Sequence, residues 1–334
     1  MNLPLRMALG VAAVAALVLA PLAMKPYGIY IMSLWAVMTI AAIGLNLTLG
    51  YAGQISLAQA AFVGIGTYTA SLLMTHGGWF WPGLLLGVGI CFALGWLLGY
   101  PALRVQHHYL AFVTLGFSTL AYLVFRNEEW LTGGIYGISG IKRPVIFLWR
   151  AESSYAYYLV CLAALTTATA FVWWLVRSPW GRAFTALREN PVRASSLGVD
   201  TRRYTLMAFA IGSALGGFSG AFYGPLVQFV DPSMFTLNLS LSLLLMVIVG
   251  GSGYFLGPFI GALVAVLLPE WLRFSEGLYL IVFSTLVMLL LIFCPQGLIG
   301  LFQRGRVAVR SRAHQLDATT APAPAAAHVT GEPP

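Results

Sequence analysis

The sequence predicts an all-α, polytopic membrane protein, and three observations carry that prediction. Of 334 residues, 59% are hydrophobic and 8% are charged, against about 25% charged in a soluble domain. The charges leave long runs untouched: Met7–Met24, Pro26–Leu103, Val105–Phe125, Ser153–Val176, Tyr204–Val230, Pro232–Pro269 and Gly277–Gln303 contain no Asp, Glu, Lys or Arg. The net charge of +8 sits between those runs rather than on a polar face. A water-soluble globule, a nucleic-acid binder and a disordered chain are therefore poor fits, and the partner of most of the surface is membrane lipid.

The spans follow in order. One helical crossing needs about 20 apolar residues. Met7–Met24 makes one span; its alternative reading is a secretory signal, with Arg6, an apolar core and then small residues. Pro26–Leu103 holds three, cut at Gly50–Ser56 and at His76–Pro82, where turn-forming residues cluster. Val105–Phe125, Ser153–Val176, Tyr204–Val230 and Gly277–Gln303 hold one each. Pro232–Pro269 has room for two short spans divided at Gly250–Gly257. Orientation comes from the basic residues. Arg177, Arg182, Arg188, Arg193, Arg202 and Arg203 crowd one loop, and Arg304, Arg306, Arg310 and Arg312 follow the last span. Both places read as cytoplasmic, which puts the Arg126–Glu152 loop outside and Arg104 inside. Ten spans with cytoplasmic N- and C-termini satisfy every loop; a re-entrant Pro232–Pro269 would give eight. Residues 1–303 then form the transmembrane domain, with a cytoplasmic loop at 177–203. Residues 304–334 are a tail, first basic and then Ala- and Pro-rich, that cannot bury a core and reads as disordered.

Several chemistries lack their residues. No carboxylate falls inside a predicted span, and the five histidines lie in loops or the tail, so the proton relay of many carriers is missing. The three cysteines stand singly in different apolar runs and form no metal-ligand or disulfide pattern. Lys25 and Lys142 follow Met24 and Ile141, so no phosphate-binding loop is present; ATP, if used, is hydrolysed by another chain. Gly217-Phe218-Ser219-Gly220 has the form of an intramembrane serine-protease loop, but no base accompanies the serine. Packing is the better reading, because Gly212, Gly216, Gly220 and Gly224 recur every four residues along one helix face and admit a neighbouring helix closely. Similar ladders run Gly83, Gly87, Cys91, Gly95, Gly99 and Gly253, Gly257, Gly261.

The loop Ser178–Asp200 reads SPWGRAFTALRENPVRASSLGVD. Ser178-Pro179 and Asn190-Pro191 each supply a cap and a first helical residue, and Gly198 a stop. Two short helices are expected, with Ala183, Ala186, Leu187 and Ala194 as an apolar face of the sort that docks into a groove on a cytoplasmic partner.

From Gly181 to Gly224 this loop and the span after it resemble the permease subunits of branched-chain amino-acid ABC importers, a binding-protein-dependent inner-membrane transport family. GLNLTLGYAGQISLAQAAFVGIGTYTASLL (Gly44–Leu73) resembles the family's Gly-Tyr-x-Gly-Gln-x-Ser-Leu signature. HYLAFVTLGFSTL with LTGGIYGISGI, and SLLLMVIVGGSGYFLGPFIGALVAVLLPEWLR with CPQGLIGLF, resemble its central and C-terminal parts. The resemblance is collinear from about residue 28 to residue 302. This chain departs from the pattern at Ala58-Gln59, where the family usually has Gly-His, and at Pro191, where many members have another residue.

The resemblance implies a type II ABC importer-like fold in a bacterial inner membrane, with no catalytic role and no cofactor. It implies three kinds of neighbour: a second homologous permease, two ABC ATPase subunits and a periplasmic or extracellular substrate-binding protein. Arg182, Arg188, Glu189 and Gly198 would lie in or beside the helix seated on the ATPase. Gly53, Gln54 and Ser56 are candidates for the translocation pathway, with a plain cytoplasmic turn as the alternative. The cargo implied is a branched-chain or related hydrophobic amino acid. Without a buried counter-ion a wet, weakly selective cavity suits a zwitterion better than a tight dehydrated site. Permeases for urea, short amides or sugars are the nearer alternatives, and a stand-alone sodium-coupled carrier the more distant one.

Overall fold

Apolar runs this long leave backbone N–H and C=O groups no partner but each other, so they become helices. The computed structural model describes residues 17–102, 107–146, 149–150, 153–271, 282, 285, 288 and 297–300. The first expected span lies mostly, the last largely, and Arg104 and the tail wholly outside the described residues. Ten helices matter here: α1 (Pro26–Leu45), α2 (Gln59–Thr75), α3 (Phe80–Ala102), α4 (His107–Asn127), α5 (Ser154–Arg177), α6 (Pro179–Glu189), α7 (Pro191–Ser196), α8 (Thr201–Val227), α9 (Leu237–Gly250) and α10 (Gly257–Trp271). Among the described residues five helices are long and apolar enough to cross a membrane, namely α1 with its extension to Tyr51, α3, α4, α5 and α8; α9 and α10 are shorter. The chain is a multi-pass membrane protein.

Helix α8 is the central post, packed against α1, α2 and α3. The predicted glycine ladder explains its position. A methyl at Gly212 would lie 2.7 Å from Gly44 O, and one at Gly216 would lie 3.0 Å from Phe62 Cβ. Gly220 meets the Val63 carbonyl of α2, and Gly224 meets Ser71. The ladder on α3 behaves likewise: Gly83 faces Ala70, Gly87 faces Gly66, Gly95 faces Ser213 and Gly99 faces Leu206. The third ladder divides. Gly253 stands in a turn with φ +82°, whereas Gly257 and Gly261 lie on α10 against α9. Four-residue spacing alone did not reveal the helix break between them.

Side-chain donors reach neighbouring backbone carbonyls and tie the helices together. Gln59 Nε2 donates to Ala41 O (3.1 Å) and Gly212 O (3.2 Å), Thr67 to Gly220 O (2.8 Å), Ser219 to Val37 O (2.7 Å), and Tyr157 to Phe222 O (2.5 Å). Ser219 is fully buried and its hydroxyl proton is committed to a helix carbonyl, which is the packing reading of the Gly217–Gly220 string.

The two ends of the bundle are distinct. At one end, Ile138–Ser139 pairs antiparallel with Phe229–Val230, matching Ile138 to Val230. At the other end lie α6 and α7, where Arg202 covers the Tyr100 ring at 4.5 Å and Arg177 covers Trp173 at 4.0 Å. The α9–α10 hairpin runs from the strand pair toward α6 and back, and at its return Tyr27 on the first turn of α1 donates to Glu270 (2.8 Å).

Candidate coupling and translocation site

The basic loop folds as its sequence dictates. Ser178 Oγ accepts from Trp180 N (3.2 Å), Asn190 Oδ1 from Arg193 N (3.0 Å) and Asp200 Oδ1 from Arg203 N (3.1 Å), so three consecutive helices each start on a side-chain cap. Gly198, at φ +83°, ends α7: its N–H donates to Ser195 O (3.0 Å) and Val199 N to Ala194 O (3.1 Å). That pair of bonds is a Schellman stop, whose left-handed position glycine fills without a Cβ clash.

The apolar face of this loop does not point toward a partner. Ala183, Phe184, Leu187 and Ala194 are buried, and Phe184 packs with Leu47, Ala52, Leu175 and Ala208, edge-on to Tyr204 at 6.3 Å. Burying Phe184 against its own bundle fixes the helix to the membrane domain, and this corrects the sequence-based expectation of an alanine–leucine docking face. The outward face is mixed instead. Arg182, Glu189 and Arg193 are exposed, as are Val192 (76% exposed) and Leu197 (83%), and a methyl at Gly198 would meet nothing within 4 Å. The two exposed aliphatic residues drew no notice in the sequence, although each interrupts a polar stretch.

Arg188 turns the other way. Its Nη1 donates to Gly50 O at 2.5 Å and reaches toward Ser252 O at 3.5 Å, while its backbone and stem line the space beside Gly53. Gly50 belongs to a π-helical turn, Asn46–Tyr51, that closes α1. Asn46 fastens that turn to the α9–α10 connection, accepting from Gly253 N (2.9 Å) and donating to Tyr254 O (3.1 Å). A methyl at Gly50 would collide with the Asn46 amide and Gly253 N; one at Gly253 would take the place of the Arg188 guanidinium. Four segments thus converge within contact distance, and two glycines make the approach sterically possible.

From Gly53 the chain climbs back into the bundle without helical structure as far as Ala58. Gln59 then bonds at the level of Ala41, nine residues up α1 from Gly50, a rise of about 13 Å at 1.5 Å per residue. The stretch thus has a turn at its foot and non-helical backbone along its length. The N–H groups at and just before the start of α2 find hydroxyl acceptors, two of them on other helices. Leu57 N donates to Thr114 Oγ1 of α4 (3.0 Å), Ala58 N to Ser56 Oγ (3.3 Å) and Ala60 N to Ser240 Oγ of α9 (3.1 Å). Burial alternates along the climb, as period-2 geometry requires. Gln54 and Ser56 face inward and are buried, Gly53 and Ile55 are exposed, and Leu57 is half-buried. The open edge of the segment is Gly53–Ile55–Leu57, so Ile55 and Leu57, which sequence reasoning passed over, join Gly53 there, while Gln54 and Ser56 brace the segment from behind.

The buried polar side chains among the described residues are hydroxyls and amides. A hollow of about 510 Å³ between α2, α3 and α4, lined by Ile65, Leu72, Ile90, Phe117 and Val124 among others, is almost wholly apolar.

Residues 27–294 match the family described as branched-chain amino acid transport system, permease component. The chain is 33% identical over 293 residues to the high-affinity branched-chain amino acid transport system permease protein LivM of Escherichia coli, covering 80% of this chain and 69% of that one. It is 26% identical over 286 residues to the permease protein LivH of Salmonella typhimurium (78% and 90% covered), and 26% identical over 214 residues to that organism's autoinducer 2 import permease LsrC (59% and 58% covered). No solved structure matches.

Proposed function

The chain belongs to the family of branched-chain amino acid transport permeases, and we propose that it carries branched-chain or related hydrophobic amino acids across a bacterial inner membrane. It is a permease subunit of an ABC importer, a system that works with ATPase and binding-protein partners. In our reading the complex holds one second, homologous permease and two ATPase subunits, and receives cargo from a soluble binding protein. The chain crosses ten times with both termini cytoplasmic, which agrees with α10 returning to the first turn of α1.

The observation that carries the coupling part of this proposal is the loop of α6 and α7. Its apolar face is spent on the chain's own bundle, and its outward face presents Val192 and Leu197 among Arg182, Glu189 and Arg193. An apolar centre with a charged rim is how a stable protein interface is usually built. We assign the ATPase contact to that face, and the lining of the translocation pathway to the open edge at Gly53, Ile55 and Leu57. Irregular backbone at membrane depth is tolerated only against protein or water, and the bracing side of this segment is already occupied. Neutral buried hydroxyls and amides offer a zwitterion no fixed counter-ion, so selectivity resides in the binding protein.

The test is co-purification with candidate ATPases and a binding protein, then reconstitution and an uptake screen over aliphatic amino acids, amides, urea and sugars. ATP-dependent uptake of Leu, Ile or Val is the expected outcome. If no ATPase associates and uptake ignores ATP, the proposal fails; uptake of amides, urea or sugars alone overturns its cargo.

A further inference from the structure

We propose that Arg188 is the positioning residue that links movement of the cytoplasmic loop to the open, non-helical segment inside the bundle. The inference rests on the coupling role assigned to α6 above and names the side chain that transmits it.

Three facts lead there. First, Arg188 is set apart from its neighbours on the loop by its partners: it is exposed like Arg182, Glu189 and Arg193, but its guanidinium bonds backbone oxygens of the membrane domain. Second, those oxygens belong to the two glycine-rich turns at this end of the bundle, one closing α1 at Gly50 and one joining α9 to α10 at Ser252, and the turns are themselves cross-tied by Asn46. Third, one of these turns leads, through Gly53, directly into the segment whose open edge is Ile55 and Leu57.

The mechanics follow from stiffness. Helix α6 is held to the bundle by Phe184 on one side of its axis. A push on its outward face rotates it about that buried ring, so the guanidinium, at the end of a long lever, moves most. One carbonyl partner sits in the π-helical last turn of α1 and the other in the α9–α10 turn, and such element ends are where a chain yields to φ/ψ change. A displacement of Arg188 therefore drags the foot of the Gly53–Ala58 segment while α1 and α8, locked by the glycine contacts, stay in place. Both bonds come from one nitrogen, Nη1, whose N–H directions are fixed by the planar guanidinium, whereas a lysine ammonium rotates freely.

The experiment uses the assembled complex with its ATPases and binding protein in proteoliposomes, measuring uptake and ATP hydrolysis together. R188Q is expected to lower substrate moved per ATP at least tenfold while ATPase co-purification stays within twofold of wild type. R188K, keeping charge with fewer donors, is expected to recover part of that ratio. G253A leaves the arginine in place but fills its seat, and is expected to uncouple in the same direction, giving a second probe if R188Q yields little folded complex. A purely structural role predicts that uptake, hydrolysis and recovered complex fall together. Unchanged transport per ATP in R188Q or in G253A overturns the proposal alone. Absence of ATP-driven uptake in the wild-type complex overturns the functional reading and this proposal with it.

Discussion

Replacing Gly212 by alanine tests the central claim that glycines set the spacing of the bundle. The added methyl would lie 2.7 Å from Gly44 O and 2.6 Å from Thr48 Cγ2. Ordinary C···O contacts begin near about 3.3 Å, so α1 and α8 must part by about 0.6 Å. Overpacking of this kind costs about 1–3 kcal/mol. The Gln59 bond to Gly212 O, already 3.2 Å long, is stretched with it, and inter-helix bonds in membranes are worth about 0.6 kcal/mol. Alanine's lower backbone entropy returns roughly 0.5–1 kcal/mol. The net expectation is a loss of roughly 1–3 kcal/mol. Gly89 and Gly116 supply the control, since a methyl at either meets nothing within 4 Å, and alanine there should stabilise by roughly 0.5–1 kcal/mol. The assay is thermal unfolding of the purified permease in one detergent, with G212A, G89A and G116A side by side. G212A should melt several degrees below wild type and the two controls at or above it. Equal melting of all three would refute close helix approach as the reason for the ladder.

Three further outcomes are expected. Phe184→Ala removes a fully buried ring at a cost of about 3–5 kcal/mol, so tryptic cleavage within the basic loop should rise at least a hundredfold while the helices of the bundle stay protected; unchanged cleavage contradicts the docking described for α6. Ser219→Ala loses only the bond to Val37 O, about 0.6–1.7 kcal/mol, and should keep most ATP-driven uptake, whereas a hydrolytic serine demands complete loss of an activity. Val192→Asp with Leu197→Asp alters two exposed side chains and should shift melting by no more than about 0.5 kcal/mol per site, yet reduce ATPase co-purification tenfold or more; intact association would place the interface elsewhere.

What could be read from the sequence was what depends on near neighbours. The caps at Ser178 and Asn190, the stop at Gly198 and the glycine faces of α3 and α8 each require residues within a turn or two, and they stand where the sequence put them. The direction in which α6 shows its apolar face was not readable, because Phe184 is satisfied by Leu47, Ala52 and Ala208, and nothing local says whether a partner or the chain itself supplies such a pocket. Arg188 looked like its five neighbours in charge; its acceptors lie 138 and 64 residues away. Gln54 and Ser56 stand out in the sequence as polar residues in an apolar run, and both are buried, whereas the exposed edge falls to Gly53 and Ile55, which polarity does not mark. Gly253 kept the spacing of a ladder while occupying a turn, since a four-residue interval carries no information about φ.

The start of α2 also constrains how the protein is made. The N–H groups at and just before it depend on Thr114, 57 residues from Leu57, and on Ser240, 180 residues from Ala60. A ribosome adding about 5–20 residues per second delivers Ser240 some 9–36 s after Ala60. During that interval the Ala60 N–H lacks its native acceptor, so this piece cannot be completed at the moment its span is made. The Gly53–Ala58 segment is assembled late, by the return of α9, and a chain stalled before residue 240 should hold it open to water.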